Sequence, residues 1–349
     1  MSTQTDVLIV GAGAAGLAAA KELAKQGISF AVVEASHRIG GRAYTEEIAP
    51  DVWFDLGCAY LVIGPDPENH IDESNPFVDF AMSQSLDIEQ YLYKSRYVYN
   101  GRLLSDIEMK ERDRFYKDCE EAIRNSAESG DDLAISELID IDSPYATPYV
   151  DMMAVTAPKD IDEASAADFF YGIEEHINFN TRRGYGNLVA QWANDVKVSL
   201  NTKVESIDWS GKEVRVKTNK GSIRARCLIS TVSNGILAAN HIHFEPRLPD
   251  WKVDAIHGLP MGAENKIGVH FTQDIFSPED SGYYQVWSDD AHGAYVDVNL
   301  VSTNVVTVFI GGRFSKWMEH QGQQAAREFA LDRIADIFGN DIRQSAGRC

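Results

Sequence analysis

The sharpest hydrophobic pattern lies at the start of the chain. Val7-Leu8-Ile9-Val10 is a continuous apolar run of the buried-strand type, and Gly11-Ala12-Gly13-Ala14-Ala15-Gly16 follows at once. Leu17 to Gln26 is rich in Ala, Leu, Lys and Glu, all good helix formers, and Gly27 stands where a helix C-terminus takes positive φ. Ser29 to Val33 reads as a second strand that ends in Glu34. This is strand–turn–helix–strand, the βαβ opening of an α/β nucleotide-binding domain.

Further along, Ile107, Phe115, Cys119 and Ile123 fall on multiples of four residues, which predicts a helix with one apolar face. Strand patterns then return at Val196–Leu200, Val204–Trp209, Glu213–Thr218 and Cys227–Thr231, with a turn at Asn219-Lys220-Gly221. Lys266–Phe271, Tyr295–Val301 and Val305–Ile310 predict a second sheet, with Ser302-Thr303-Asn304 turning between the last two. Trp317 to Phe338 reads as one long helix. No internal repeat is visible.

Length and charge narrow this picture. The 349 residues allow two or three domains, and 44% hydrophobic against 24% charged residues is ordinary for a folded protein. There are 53 acidic and 32 basic residues, a net charge of −21. Such a surface repels phosphate backbones and anionic lipid, so neither nucleic acid nor a membrane is expected as partner. Small cations are attracted instead. The stretch from Asp106 to Glu163 holds seventeen acids and six bases, and its apolar stripe marks it as an acid-faced helical insertion rather than a tail. A solvated outer face without further role accounts for that charge equally simply. The cysteines at 58, 119, 227 and 349 form no CxxC pair, so neither a disulfide framework nor a metal site is expected. The apolar run from Val7 is too short to span a membrane, and the start has no basic leader. These features predict a soluble, cytoplasmic protein. Nothing in the pattern assigns an oligomeric state.

The glycines point to a dinucleotide. Gly11 makes the tight turn, Gly13 lets the backbone approach a pyrophosphate, and Gly16 lets helix and strand pack closely. The phosphates then meet free N–H groups at a helix N-terminus. Glu34, eighteen positions after Gly16, is placed to accept both ribose hydroxyls and would repel a 2′-phosphate, which favours FAD or NAD over NADP. Gly40-Gly41-Arg42 follows closely. Alone it is an ordinary turn; here a guanidinium can clasp the pyrophosphate, a second clamp that NAD does not need.

On these motifs the chain resembles the flavin-containing amine oxidase family, which includes monoamine oxidases, polyamine oxidases and flavin-type histone-lysine demethylases. The resemblance continues through Phe54-Asp55-Leu56-Gly57, Gly184-Tyr185-Gly186-Asn187-Leu188, Leu200–Val204 and Leu228–Val232. It is sharpest in Phe244–Ile256 followed by Asn265-Lys266-Ile267, which is similar to the polyamine oxidase and demethylase branch. The resemblance implies a Rossmann-like FAD-binding domain interleaved with an α+β substrate domain made of a mixed sheet and a helical insertion. It divides the chain into FAD-binding parts at 1–75 and 184–262 and substrate-domain parts at 76–183 and 263–349. Gly11, Gly13, Ala15, Gly16, Glu34, Gly40, Gly41 and Arg42 would hold FAD. The backbone at Ala59 and Tyr60 would lie near the flavin, and that of Val204 would hold the adenine. Many relatives carry Arg where this chain has Ser36, and Thr231–Gly235 departs from their usual Pro-Leu-Gly run.

Lys266 matches the family's lysine that binds a water beside the flavin. A strand lysine also commonly points to solvent. The implied chemistry is oxidation of an amine C–N bond to an imine, with O₂ as acceptor and H₂O₂ as product. Tyr60, Tyr91, Tyr93, Tyr97 and Tyr99 form an aromatic-rich set, for most of which core packing is the plainer role. Relatives continue past the point where this chain stops and end in a second flavin-contacting motif. The expectation is therefore an N-terminal fragment that lacks the C-terminal FAD-binding segment. Two other readings stay open: another FAD-dependent oxidase or desaturase of the same fold, and a non-catalytic FAD-binding remnant.

Overall fold

Strand β1 (Thr3–Val10) runs into the glycine turn and helix α1 (Ala14–Lys25), and Gly27 at φ +67° returns the chain to β2 (Phe30–Val33). The structure is a computed structural model and describes residues 3–63, 75–90, 94–172, 177–289, 291–299 and 303–347. β1 and β2 pair in parallel, Val7 opposite Phe30 and Val10 opposite Val33. Leu8 and Ile9 are both fully buried although they point to opposite faces, so the strand reads as a continuous apolar run.

The hairpin β3 (Thr45–Ala49) and β4 (Val52–Asp55) turns at Asp51, and β5 (Leu61–Ile63) follows. Helix α2 (Pro76–Ser83) is capped by the Asn75 side chain, which accepts the Phe77 N–H. β6 (Ile88–Gln90), β7 (Ser95–Tyr99) and β8 (Arg102–Leu103) lead to α3 (Asp106–Ser129). That helix opens on a capping box of Ser105 and Glu108 and closes at Gly130, φ +84°.

The expected apolar stripe of α3 is corrected at its start. The buried face runs through Arg112, Tyr116, Cys119, Ile123 and Ala127, in steps of four and three, and Ile107 is 70% exposed. A stride of strictly four residues drifts about 40° per step on a 3.6-residue helix, so four strides carry Ile107 to the opposite side from Ile123.

Next come α4 (Ala146–Thr156), α5 (Ala166–Gly172), β9 (Ile177–Thr181) and α6 (Tyr185–Trp192). β9 joins β5 and β6 in a small antiparallel sheet. The chain then returns to the first sheet with β10 (Val198–Ser199), β11 (Val204–Asp208), β12 (Val214–Thr218) and β13 (Gly221–Ser230). α7 (Asn234–Ala238), β14 (His243–Glu245) and α8 (Asp250–Gly258) complete this part. The seven strands lie in the order β10-β2-β1-β13-β12-β11-β14. β13 is longer than the expected Cys227–Thr231, because its first half forms a hairpin with β12 while Ile223–Ser230 lies parallel to β1. The expected strand at Val196–Leu200 shrinks to two residues at the sheet edge.

β15 (Glu264–His270), β16 (Gly282–Trp287), β17 (Ala294–Val298) and β18 (Val305–Gly311) form a second sheet, which β7 and β8 join, in the order β15-β18-β17-β16-β7-β8. Asn299 (φ +54°) ends β17 earlier than expected, and residues 300–302 lie outside the described ones. Val306, Val308 and Ile310 face a core shared with the final helices. Thr307 and Phe309 face the other way, towards α4 and the segment after β4. The expected single helix is two, α9 (Gly312–Gln321) and α10 (Gln323–Phe338). Gly322 breaks it at φ +86°, ψ 175°, a conformation open essentially to glycine alone. The fold is mixed α/β, with two large sheets whose strands alternate along the chain.

Candidate active site

The glycine turn sits where β1 ends against β13. The Thr231 hydroxyl donates to Val10 O at 3.0 Å and pins the strand tip. Gly11 is held at φ +106°, and a side chain on Gly16 would collide with Gly11 O. These two glycines are required by the protein's own packing. Gly13 differs: a Cβ there would meet nothing of the protein nearer than 3.8 Å, at Gly41 Cα. Its smallness leaves room on the outer side of the turn, where a pyrophosphate could fit. Ala14, Ala15 and Gly16 precede the first bond of α1, from Leu17 N to Gly13 O, so their N–H groups face that room.

Glu34 closes the turn from the next strand. Its Oε2 accepts Ala12 N–H and its Oε1 accepts Ser36 N–H, both at 2.8 Å. Each oxygen keeps a second lone pair for a ribose hydroxyl. Ser36, where many relatives carry Arg, is used locally: its hydroxyl donates to Arg38 O. Thr202 N–H bonds Glu34 O and Asn201 N–H bonds Ser36 O, which brings the 201–204 segment, and with it the Val204 backbone, alongside Glu34.

A run of backbone bonds leads from this anion-binding end to the lysine. Gly40 N–H donates to Ala12 O at 2.8 Å, Cys58 N–H to Arg42 O at 3.0 Å, and Gly57 N–H to Tyr44 O at 3.3 Å. Lys266 Nζ then donates to Gly57 O at 2.6 Å. Arg38 stiffens the Gly40-Gly41 turn by donating to Gly41 O at 2.8 Å while it stacks on the Tyr44 ring. Arg42 is exposed beside the turn, and its guanidinium has no protein partner among the described residues.

Lys266 does not point to bulk solvent. It lines a cavity of about 60 Å³ with Ala59, Tyr60, Asn180, Thr307 and Phe309. Its ammonium lies 5.8 Å and 5.6 Å from the Tyr60 and Phe309 ring centres. Gly268, two residues on, admits the Phe54 ring, which a Cβ would meet at 2.6 Å. Tyr60 OH donates to Asp297 Oδ2 at 2.8 Å and ties the segment to β17.

Three contributors are given no role at the site by the sequence. Asn180 is buried; its Nδ2 donates to Ala59 O at 3.3 Å, which fixes the amide, and its Oδ1 has no partner among the described residues. Asp55 is held by the Thr45 hydroxyl and by the Tyr185 and Gly186 N–H groups, so it acts as the anion at the start of α6. Burial raises its pKa; those hydrogen bonds and the Lys266 charge pull against the rise. Phe309 was expected only as a strand residue. Of the aromatic set, Tyr97 lies under the Arg112 guanidinium and Tyr99 stacks on Trp287, both packing roles. Tyr91 and Tyr93 lie outside the described residues.

The sequence matches the pattern described as NAD(P)-binding Rossmann-like domain over residues 9–73 and that of flavin containing amine oxidoreductase over residues 63–348. Polyamine oxidase 4 of Oryza sativa subsp. japonica is 26% identical over 361 residues, 95% of this chain and 72% of that protein. The amine oxidase [flavin-containing] of Danio rerio is 26% identical over 78% of this chain and 58% of its own length. Among solved structures, putrescine oxidase bound to putrescine superposes with a TM-score of 0.78 at 19% identity, over 99% of this chain and 84% of that one. Cyclohexylamine oxidase from Brevibacterium oxydans IH-35A gives 0.77 at 22% identity, over 97% and 82%. With a match that covers most of its length and a glycine turn shaped for a dinucleotide, the chain belongs to the flavin containing amine oxidoreductase family.

Proposed function

We propose that this protein oxidises an aliphatic di- or polyamine, with Lys266 serving the oxygen-reducing half of the cycle. FAD, when bound, supplies the two-electron acceptor that oxidises the amine C–N bond and passes the electrons to O₂, giving H₂O₂. The N–H groups at the start of α1, with Gly13, Gly40, Gly41 and Arg42, hold its pyrophosphate. Glu34 holds the ribose, Val204 the adenine, and the backbone at Ala59 and Tyr60 borders the flavin. The observation that carries the lysine assignment is its bond to Gly57 O at 2.6 Å beside the Ala59–Tyr60 wall of the cavity. That bond fixes an ammonium whose remaining N–H groups can orient a water, and a fixed positive charge favours formation of reduced oxygen anions. Asn180, in the same wall, donates from Nδ2 to Ala59 O and so holds the backbone that borders the flavin. Tyr60 and Phe309 exclude water on either side.

The polyamine assignment is supported by several relatives that carry that name and by the charge of −21. We divide the chain into FAD-binding parts at 1–75 and 184–262 and substrate parts at 76–183 and 263–349, because each pair supplies one large sheet's strands. We assign it to the cytoplasm: Cys58 and Cys227 carry exposed free thiols, which suit a reducing compartment. No helix among the described residues is long and apolar enough to cross a membrane.

Stopped-flow spectroscopy of the FAD-loaded protein tests the lysine. In Lys266→Met, reoxidation by O₂ should slow by at least tenfold while anaerobic reduction by amine changes far less. Two unchanged half-reactions would reduce Lys266 to a packing residue. Absence of amine-dependent H₂O₂ from the loaded wild type would overturn the polyamine oxidase reading itself.

A further inference from the structure

A larger cavity, of about 450 Å³, lies beyond Phe309, between α4, the approach to β17, the end of β18 and α9. Phe309 is common to its wall and to that of the Lys266 cavity. One side is a stack of planar rings: His292 lies 4.0 Å from Phe314, and Phe314 lies 5.6 Å from Trp317 at 19°. The facing side is the apolar surface of α4, with Val150 and Ala154. Asp151 is set into this apolar wall. Its Oδ2 accepts the Gly293 N–H at 3.1 Å, and the close approach requires glycine, whose Cβ would strike the carboxylate. Burial pushes the Asp151 carboxyl up to about 7, against the pull of the Gly293 N–H and of Arg333. Arg333 is not an ion-pair partner at contact distance: it donates to His292 O and pairs with Asp336 at 2.9 Å. The other charged groups at this wall, Asp160 and Arg313, pair with each other, and burial lowers the His292 pKa against the pull of Asp160.

A carboxylate in an apolar, ring-walled cavity is costly unless a cation meets it. We propose that this cavity is a second amine site, which takes the ammonium end of an alkylamine on Asp151 and lays its carbon chain against Phe314, Trp317 and Val150. The rings add cation–π attraction and apolar burial. The cation can be the far end of the amine under oxidation, reaching past Phe309, or a second amine molecule. Thr307, in the Lys266 cavity, and Gly311, in this one, are four positions apart on β18, about 13 Å at 3.3 Å per residue, a span an extended polyamine covers. The site rests on the amine-oxidising reading only for the source of its ligand.

The test uses 2,4,4-trimethylpentan-2-amine, which has no hydrogen on the carbon next to nitrogen and so cannot be oxidised. Calorimetry with the FAD-loaded protein should show it binding about tenfold tighter at pH 8 than at pH 6, as Asp151 ionises, with proton release on binding near pH 7. Asp151→Asn keeps the acceptor for Gly293 N–H; it should weaken binding at pH 8 at least tenfold and abolish the pH dependence. Trp317→Ala, at a half-exposed ring, should weaken binding several-fold and keep the pH dependence. The source is then read from turnover. If the cation is the substrate's far end, Asp151→Asn lowers kcat/KM for a diamine and spares a monoamine. If it is a second molecule, both substrates respond alike. Wild-type affinity and pH profile retained in Asp151→Asn would overturn the site, as would binding lost only in Lys266→Met. Failure of the amine-oxidising reading would appear instead as absent H₂O₂ with this binding intact.

Discussion

In the proposed reading, Glu34 serves the loop and the ligand together. Its two oxygens already accept Ala12 and Ser36 N–H groups, so the carboxylate shapes the turn that receives the cofactor. A glutamine has only one oxygen, and its NH₂ would face a second N–H donor. Charge-assisted bonds of this kind contribute about 1.5–3 kcal/mol. Glu34→Gln should therefore lower FAD affinity roughly ten- to hundredfold and also lower the melting temperature of the apo-protein. Equal affinity and equal stability in fluorescence titration and thermal unfolding would remove Glu34 from the site. The glycines and Glu34 are proposed from a short run with a defined spacing, and Lys266 from the resemblance of its flanking residues to the family. Asn180 and Asp151 are not legible in the sequence. What singles them out is a wall contributed by chain more than a hundred residues away, as with Asn180 against Ala59 and Asp151 against Gly293.

At the scale of elements, the apolar pattern predicted most strands by type and misjudged their ends. β13 gained its first residues from a local hairpin with β12, although Ser222, Arg224 and Arg226 make that half read as polar. The long C-terminal helix was misread because Gly322 costs a helix only about 1 kcal/mol and is often tolerated. Here its backbone lies at φ +86°, ψ 175°, which sets α9 and α10 as separate rods. Gly322→Ala should then destabilise the protein by about 1–3 kcal/mol, rather than stabilise it as in a continuous helix. Urea unfolding gives the sign directly, and a stabilised variant would mean that one rod is accessible.

At the scale of the molecule, the acidic balance and the two-sheet fold meet in Asp151. Its folded pKa is raised by burial, so the folded chain holds a proton that the unfolded chain releases. The stabilising effect is complete below the ordinary carboxylate value and is lost as pH rises to about 7. Asp151→Asn removes that loss, so without ligand the variant should gain stability over wild type between pH 5 and pH 8. Urea midpoints at the two pH values measure it, and a pH-independent difference would mean an ordinary carboxyl. The overall architecture was legible because the βαβ opening and the second sheet carry separate patterns. How the two sheets meet was not, since Tyr60–Asp297 and Lys266–Gly57 join residues more than two hundred positions apart.

The alternation of the two sheets along the chain has a consequence for biosynthesis. β1 is complete at Val10, but its partner β13 ends only at Ser230. At about 5–20 residues per second, a ribosome delivers that partner roughly 10–40 s later. For that interval an apolar strand edge waits in the nascent chain, and much of what emerges meanwhile is the strongly acidic stretch from Asp106 to Glu163. Its like charges would repel neighbouring nascent chains on a polysome until the sheet closes. The negative charge proposed to draw an amine to the finished protein would thus first act as a solubilising tag for an unfinished one.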